Sequence, residues 1–249
     1  MRYGNGENYW IVEGNHFDIS RGTAEAATME IEGNETLKFD PKRSALIIID
    51  MQNFFCSSLL GRSDGAIKLV PAIASAIRSS RQLGMKIIWV NWGNRADTAN
   101  LPPNMLYSRK RGGRTHIGEP LPDNLGLALV KDSWSAAIID ELAVLYDESD
   151  YLVDKYRTSG FPGTNLDQIL RANGINTLFH TGVNTDQCVM FSLLDAAFLG
   201  YDNVLLTDCT ATTSPSYAME GAIYNMRGRS FMAVSESLMA ASSLLETVN

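Results

Sequence analysis

Between residues 44 and 234 the chain alternates short apolar runs, rich in β-branched residues, with longer stretches of helical spacing. Ser44–Asp50 reads SALIIID, a continuous apolar run of the kind found in strands buried on both faces. Met85–Val90 (MKIIWV) is a second predicted strand, Tyr151–Asp154 a third, Thr177–Thr181 a fourth, Asn203–Thr207 a fifth, and Ser230–Val234 a short sixth. Gly65–Leu83 carries Ile67, Val70, Ile73, Ala74 and Ile77 at helical spacing and is closed by Gly84. Trp134–Leu145, Thr164–Asn173, Asp186–Leu199 and Ser216–Met226 are further predicted helices, and one more follows the last strand. Strands separated by helices of about ten residues or more need crossover connections, which makes the sheet mostly parallel and covers both its faces. The expected fold class is α/β, a three-layer α/β/α arrangement, Rossmann-like in outline, with a mostly parallel central sheet. Ligands of such sheets bind beyond the carboxyl ends of the strands.

Two segments stand apart from this alternation. Residues 1–43 are polar and dotted with glycine, with Tyr3, Tyr9, Trp10 and Phe17 at no regular period. They are expected to form an extended arm packed on the body or on a partner subunit, dividing the chain into an extension, 1–37, and a main domain, 38–249. The stretch from Asn91 to about Ser133 is too long for a plain connection and has little period, which suits a functional loop or lid.

Composition narrows the partners. With 28 acidic against 21 basic residues the net charge is −7, which argues against a nucleic-acid or anionic-membrane surface. Arg109, Lys110, Arg111 and Arg114 form a basic run without aromatics and with Gly112 and Gly113 inside it, expected as a solvated loop. No apolar run reaches the length of about 18 residues that a membrane span needs, and the first residues lack a signal peptide's apolar core. A cytoplasmic location is the expectation. Cys56, Cys188 and Cys209 show no CxxC spacing, and His16, His116 and His180 no metal spacing, so neither a metal site nor a disulfide framework is expected. His180, inside a predicted strand, reads as a core histidine, and Cys56 and Cys209 as packing residues.

Three polar residues fall where strands end: Asp50 after the first, Lys155 after the third, and Cys188 in the first turn of the helix after the fourth. Together they make a base, a cation and a thiol converging on one edge. Only a thiolate is a good nucleophile, and helix N-terminal amides stabilise negative sulfur. Lys155 adds positive charge, while Asp50 takes the thiol proton and returns it to a leaving nitrogen. Peptide N–H groups of the turn before Cys188 face a developing oxyanion.

The stretches ALIIIDMQNFF (45–55), DKYRTSGFPGTNLDQIL (154–170) and TGVNTDQCV (181–189) resemble the isochorismatase-like cysteine hydrolase superfamily over roughly residues 38–235. The resemblance implies a parallel-sheet α/β fold and an Asp-Lys-Cys triad, falling on Asp50, Lys155 and Cys188. It also implies a non-proline cis peptide at Val183-Asn184 and an oxyanion hole made by the amides of Asn184 and Cys188. Nicotinamidases of the superfamily carry a D-x-H metal motif after the second strand, where this chain has Asn91-Trp92-Gly93. Aryl-carrier isochorismatases have no requirement for the cysteine. Lys155–Phe161, with Lys131–Trp134 before it, is most similar to ureidoacrylate amidohydrolases and related carbamoyl-amide hydrolases, which act on small acids bearing a ureido or amide group. Tyr156 departs from their usual proline and Asn184 from a common alanine.

The expected activity is therefore a cysteine-dependent amidohydrolase cleaving a C–N bond of a small ureido, carbamoyl or carboxamide substrate through a thioester. Its rivals are a vinyl-ether hydrolase of isochorismatase type, a nicotinamidase-like enzyme, and a non-catalytic binding protein on the same scaffold. Gln52, two residues past Asp50, is expected to orient Asp50 or substrate, or to make a turn hydrogen bond. Phe55, Trp92, Trp134 and Phe161 are candidate pocket walls, and Asn94 a candidate amide contact to a ureido oxygen. Arg157 is a candidate clamp for a substrate carboxylate, or a structural salt-bridge partner. The expected partners are a small-molecule substrate and further copies of the chain, as a dimer or tetramer, with no nucleic acid, no membrane, no cofactor and no metal.

Overall fold

The computed structural model describes residues 1–61, 63–111 and 115–246, and the side chains of all of these but 63, 64, 108–111 and 244–246. Five strands come first: β1 (Arg2–Asn5), β2 (Asn8–Glu13), β3 (His16–Asp18), β4 (Ala27–Ile31) and β5 (Glu35–Phe39). Six more follow: β6 (Ser44–Ile49), β7 (Lys86–Trp92), β8 (Tyr151–Lys155), β9 (Thr177–Val183), β10 (Asp202–Ala211) and β11 (Phe231–Ala233). The latter form one sheet in the order β11-β10-β9-β6-β7-β8, with every pairing parallel.

Every residue of β6 is buried, because helices cover both faces of the sheet. Leu46 and Ile48 pack on one side with Ile73 and Ile77 of the helix Val70–Leu83 and with Leu238 of the helix Ser235–Glu246. Ala45, Ile47 and Ile49 face the other layer, which contains Leu170 of Leu166–Ala172, Leu193 of Met190–Phe198 and Met226 of Ser216–Arg227. The three-layer α/β/α arrangement expected from the alternation is the one observed. From β6 the chain winds outward to β7 and β8, then returns to β9 on the opposite flank, so strand order reverses between β6 and β9. Crevices for ligands open at such reversal points.

Three expectations need correction. Residues 2–39 are not an extended arm but a sheet of their own, in the order β1-β2-β3-β5-β4. Ala27, Met29 and Ile31 alternate inward along β4, and with Leu37 and Phe39 they join the hydrophobic cluster that holds Leu238 and Ala241. A boundary after residue 37 falls inside β5. Arg21 and Asp202 pair at 2.7 Å where this sheet meets β10, and Trp10 Nε1 donates to the same carboxylate at 3.0 Å. A groove of about 650 Å³ lined by Trp10, Phe17, Tyr201 and Phe231 lies there.

The second correction concerns Trp134–Leu145, which is no continuous helix. A 3-10 turn at Trp134–Ala136 and a single helical turn at Asp140–Ala143 flank extended backbone. That backbone is committed elsewhere: Asn53 N donates to Ala137 O and Ile139 N to Met51 O, at 2.9 and 3.0 Å. Thirdly, Arg109, Lys110 and Arg111 end the helix Pro103–Arg111 rather than lying in a loop. Their side chains, and Arg114 altogether, lie outside the described residues.

The ends of β6 and β9 come together at Gly182. Its φ is +106°, and a Cβ there would stand 2.0 Å from Ile49 O, so only glycine permits the approach. Gly182→Ala combines left-handed strain with a backbone clash, and we expect it to cost about 3 kcal/mol or more. The melting midpoint followed by circular dichroism is then lowered by about 6–12 °C; an unchanged midpoint would refute this account of the junction.

Candidate active site

Asp50 is the first residue past β6, Lys155 the last of β8, and Cys188 lies in the turn after β9, so three strands of the sheet, with only β7 between β6 and β8, deliver all three to one edge. Lys155 Nζ stands 3.1 Å from Asp50 Oδ2 and 3.4 Å from Cys188 Sγ. Both Asp50 and Lys155 have no exposed side-chain surface, and Cys188 is 5% exposed. Lys155 Nζ also donates to the carbonyls of Arg157 at 3.2 Å and Thr158 at 3.3 Å, and lies 3.8 Å from the centre of the Trp92 ring.

Local backbone explains the convergence. Asp50 has φ 55°, in the left-handed region, turning the chain sharply out of β6 while its N–H still donates to Val90 O at 3.0 Å. Aspartate tolerates that region better than most residues, and outliers of this kind gather at functional sites. After β9 the Val183–Asn184 peptide is cis, as the family resemblance implied. Thr185–Val189 then makes one wide turn, with Val189 N reaching back to Asn184 O at 3.2 Å, and continues into Met190–Phe198. The helix start is pinned by Ser192 Oγ, which donates to Cys188 O at 2.7 Å and accepts from Gly160 N at 2.9 Å.

Burial pushes the Cys188 thiol up to about 12; the negative charge of Asp50 and a hydrogen bond to it act in the same direction, and Lys155 opposes them. The resting sulfur is thus a thiol directed at a carboxylate rather than a standing thiolate. Burial also pushes Cys56 up to about 12 and raises Cys209. His180 is held down to about 4 by burial, neutral in the core, with Nε2 against Asn203 Oδ1 at 2.9 Å and Nδ1 without a hydrogen-bond partner.

The supporting residues divide. Trp92 forms the wall behind Lys155. Gln52 is fully buried and acts as a strut: Nε2 donates to Trp92 O (2.8 Å) and Ala136 O (2.7 Å), and Oε1 accepts from Trp92 N (3.0 Å). With both amide hydrogens so used, it has no donor left for substrate. Phe161 is buried against Tyr201, ring centres 6.1 Å apart. Phe55 stacks edge-on against Phe54, and Trp134 lends its carbonyl to Asn53 Nδ2 at 2.9 Å. Asn94 Nδ2 donates to Leu129 O at 2.9 Å, while its Oδ1 is buried without a partner. Arg157 makes no salt bridge among the described residues; its Nη1 donates to Tyr156 O at 2.8 Å and Asn100 O at 3.2 Å. Asn100, which the sequence did not single out, has both amide atoms buried and unpartnered beside that guanidinium. Among the described residues no three His, Cys, Asp or Glu side chains cluster as metal ligands.

An isochorismatase domain model matches residues 44–237. The chain belongs to the isochorismatase family. It is 35% identical over 200 residues to ureidoacrylate amidohydrolase RutB of Klebsiella pneumoniae, a match covering 77% of this chain and 83% of that protein. A solved N-carbamoylsarcosine amidase from Thermoplasma acidophilum superposes with a TM-score of 0.61 at 28% identity, over 78% of this chain and 96% of its own. A cysteine hydrolase from Pseudomonas syringae, at 20% identity and TM-score 0.70, shares the fold over 82% of this chain and 94% of its own. The family match begins at Ser44, after the five-stranded sheet.

A thiol held this high loses protons only in strongly alkaline solution. Alkylation of Cys188 by iodoacetamide, followed by peptide mass mapping, is expected to quicken about tenfold per pH unit through neutrality and beyond about pH 9. A plateau near pH 8 would show an ordinary or activated thiol instead.

Proposed function

We propose that this amidohydrolase cleaves the C–N bond of a small ureido, carbamoyl or carboxamide substrate through a thioester on Cys188. The observation that carries the reading is the placement of one ammonium within hydrogen-bond reach of both a carboxylate and a thiol at the strand-order reversal. Asp50 takes the Cys188 proton as sulfur attacks the carbonyl carbon, so no free thiolate need precede substrate. The oxyanion is received by the amides of Asn184 and Cys188, an arrangement typically worth 10²–10³ in rate per donor. The C–N bond then breaks, and the proton on Asp50 passes to the leaving nitrogen. Water, losing its proton to Asp50, attacks the thioester; the C–S bond breaks and the proton returns to sulfur. Lys155 balances the charge throughout. Arg157 and the Asn100 amide are the candidate contacts for a polar or anionic end of the substrate, since among the described residues Arg157 makes no salt bridge and neither amide atom of Asn100 has a hydrogen-bond partner.

The same reading includes a cytoplasmic, homo-oligomeric enzyme. Three free, buried cysteines suit a reducing compartment. Phe198, Tyr217 and Tyr224 stand 74%, 74% and 79% exposed on two helices of one layer, a face suited to a second copy. Light scattering after size exclusion is expected to give a dimer or tetramer; a monomer at micromolar concentration would overturn this part.

Ammonia release from ureido acids, biuret, carboxamides and nicotinamide is the direct test. Turnover is expected with at least one of the first three classes, unchanged by chelator, and lost in Cys188→Ala, whose circular dichroism spectrum stays that of the wild type. Asp50→Asn is expected to lose about 10²–10⁴ in kcat. Undiminished turnover in Cys188→Ala would sink the mechanism, and silence across the panel would shift the reading to a vinyl-ether bond.

A further inference from the structure

Two independent observations meet at Trp92. It is the last residue of β7 and stands in register with Lys155 on β8, with its ring centre 3.8 Å from Nζ. Its backbone, moreover, is gripped at both polar groups by one side chain: Gln52 accepts from Trp92 N–H and donates to Trp92 C=O. Gln52 is in turn two residues past Asp50, so the acid and the indole hang from one short segment. Beyond Trp92 the chain is pressed against β8, where a Cβ on Gly93 would stand 2.2 Å from Asp154 Oδ1. The backbone that carries the indole is therefore held on both sides, and what the ring faces is a cation.

An ammonium has three protons. Around Lys155 Nζ the carbonyls of Arg157 and Thr158 and the Asp50 carboxylate compete for them, and Cys188 Sγ is the most distant of the four neighbours at 3.4 Å. A further oxygen on the Trp92 side would draw the ammonium away from sulfur, and an aliphatic group would leave that side of the charge unsolvated. An aromatic face attracts the cation without claiming one of its protons.

We infer that Trp92 is a positioning residue: its indole face, carried on a backbone clamped by Gln52, holds the Lys155 ammonium against the gap between Asp50 and Cys188 and so governs how readily Cys188 gives up its proton. The inference rests on the reading of Cys188 as nucleophile, but its test does not use substrate. Site-specific tetrafluorotryptophan at position 92 keeps the shape of the ring and removes the negative potential of its face. Trp92→Phe keeps a smaller aromatic face, and Trp92→Leu keeps none. The readout is the iodoacetamide alkylation rate of Cys188, mapped by mass, at one fixed pH, with circular dichroism to verify the fold.

Tetrafluorotryptophan and Trp92→Leu are each expected to slow alkylation roughly tenfold, the equivalent of a one-unit rise in thiol pKa, with Trp92→Phe in between. Wild-type alkylation in the fluorinated protein would overturn the inference, as would Phe and Leu variants slowed equally. Should Trp92→Leu fail to fold, the fluorinated protein alone decides. Turnover retained in Cys188→Ala would remove the nucleophile reading while leaving the alkylation ratios standing, so the two failures are separable.

Discussion

Taking an ammonium and a carboxylate fully out of water costs several kcal/mol per ion, and their mutual attraction offsets this only with good geometry and further hydrogen bonds. Lys155 and Asp50 are such a pair, with no exposed side-chain surface on either. Much of what surrounds them reads as compensation: two carbonyls from the turn after β8, an aromatic ring from β7, and a thiol from the turn after β9. A pair like this is poor as a stabilising device. It is well suited to a site in which charge must be ready before substrate arrives, because a low local dielectric strengthens every field inside it.

Holding four strand ends that close requires backbone that most residues cannot supply. Asp50 takes a left-handed φ at the end of β6, and Gly182 takes another beside it on β9. The two positions are next to each other across the sheet, Ile49 pairing with Gly182. The register between β6 and β9 is otherwise an unbroken parallel ladder from Ser44–Thr177 to Ile49–Gly182. The rigid sheet supplies position and the two turns supply direction.

How much of this was legible in the sequence depends on the range over which each feature is encoded. A strand buried on both faces announces itself in a handful of residues, as SALIII does. The acid, cation and thiol stood out in the sequence because three types suited to one reaction fall together at strand ends, within stretches that resemble the family. The N-terminal sheet was not: β4 and β5 do alternate at Ala27, Met29, Ile31, Leu37 and Phe39, but each run is five residues long. What makes those runs strands is a helix at Ser235–Glu246, far along the chain. Trp134–Leu145 failed for the opposite reason, since its apolar content is real but its backbone pairs with Met51 and Asn53. For Gln52 the spacing left two tasks open, and its bonds to the backbone of Trp92 and Ala136 could not be read from it, because spacing locates a side chain without telling which partner it bonds. The carbonyls of Arg157 and Thr158 leave no trace at all, every residue having one.

The five-stranded sheet also bears on how the chain is made. Trp10 reaches Asp202 across 192 positions, and Arg227 reaches Glu32 across 195. During synthesis at about 5–20 residues per second, the inward faces of β4 and β5 leave the ribosome roughly ten seconds or more before the helix that covers them exists. Over that interval two short strands must keep an apolar face uncovered, in a segment whose own sheet is small. The polar, glycine-dotted character of residues 1–26 then has a second meaning. Polar sequence beside these strands keeps the segment soluble while it waits, and the joining of the small sheet to its covering helix becomes a late event in folding, dependent on completion of the domain between them.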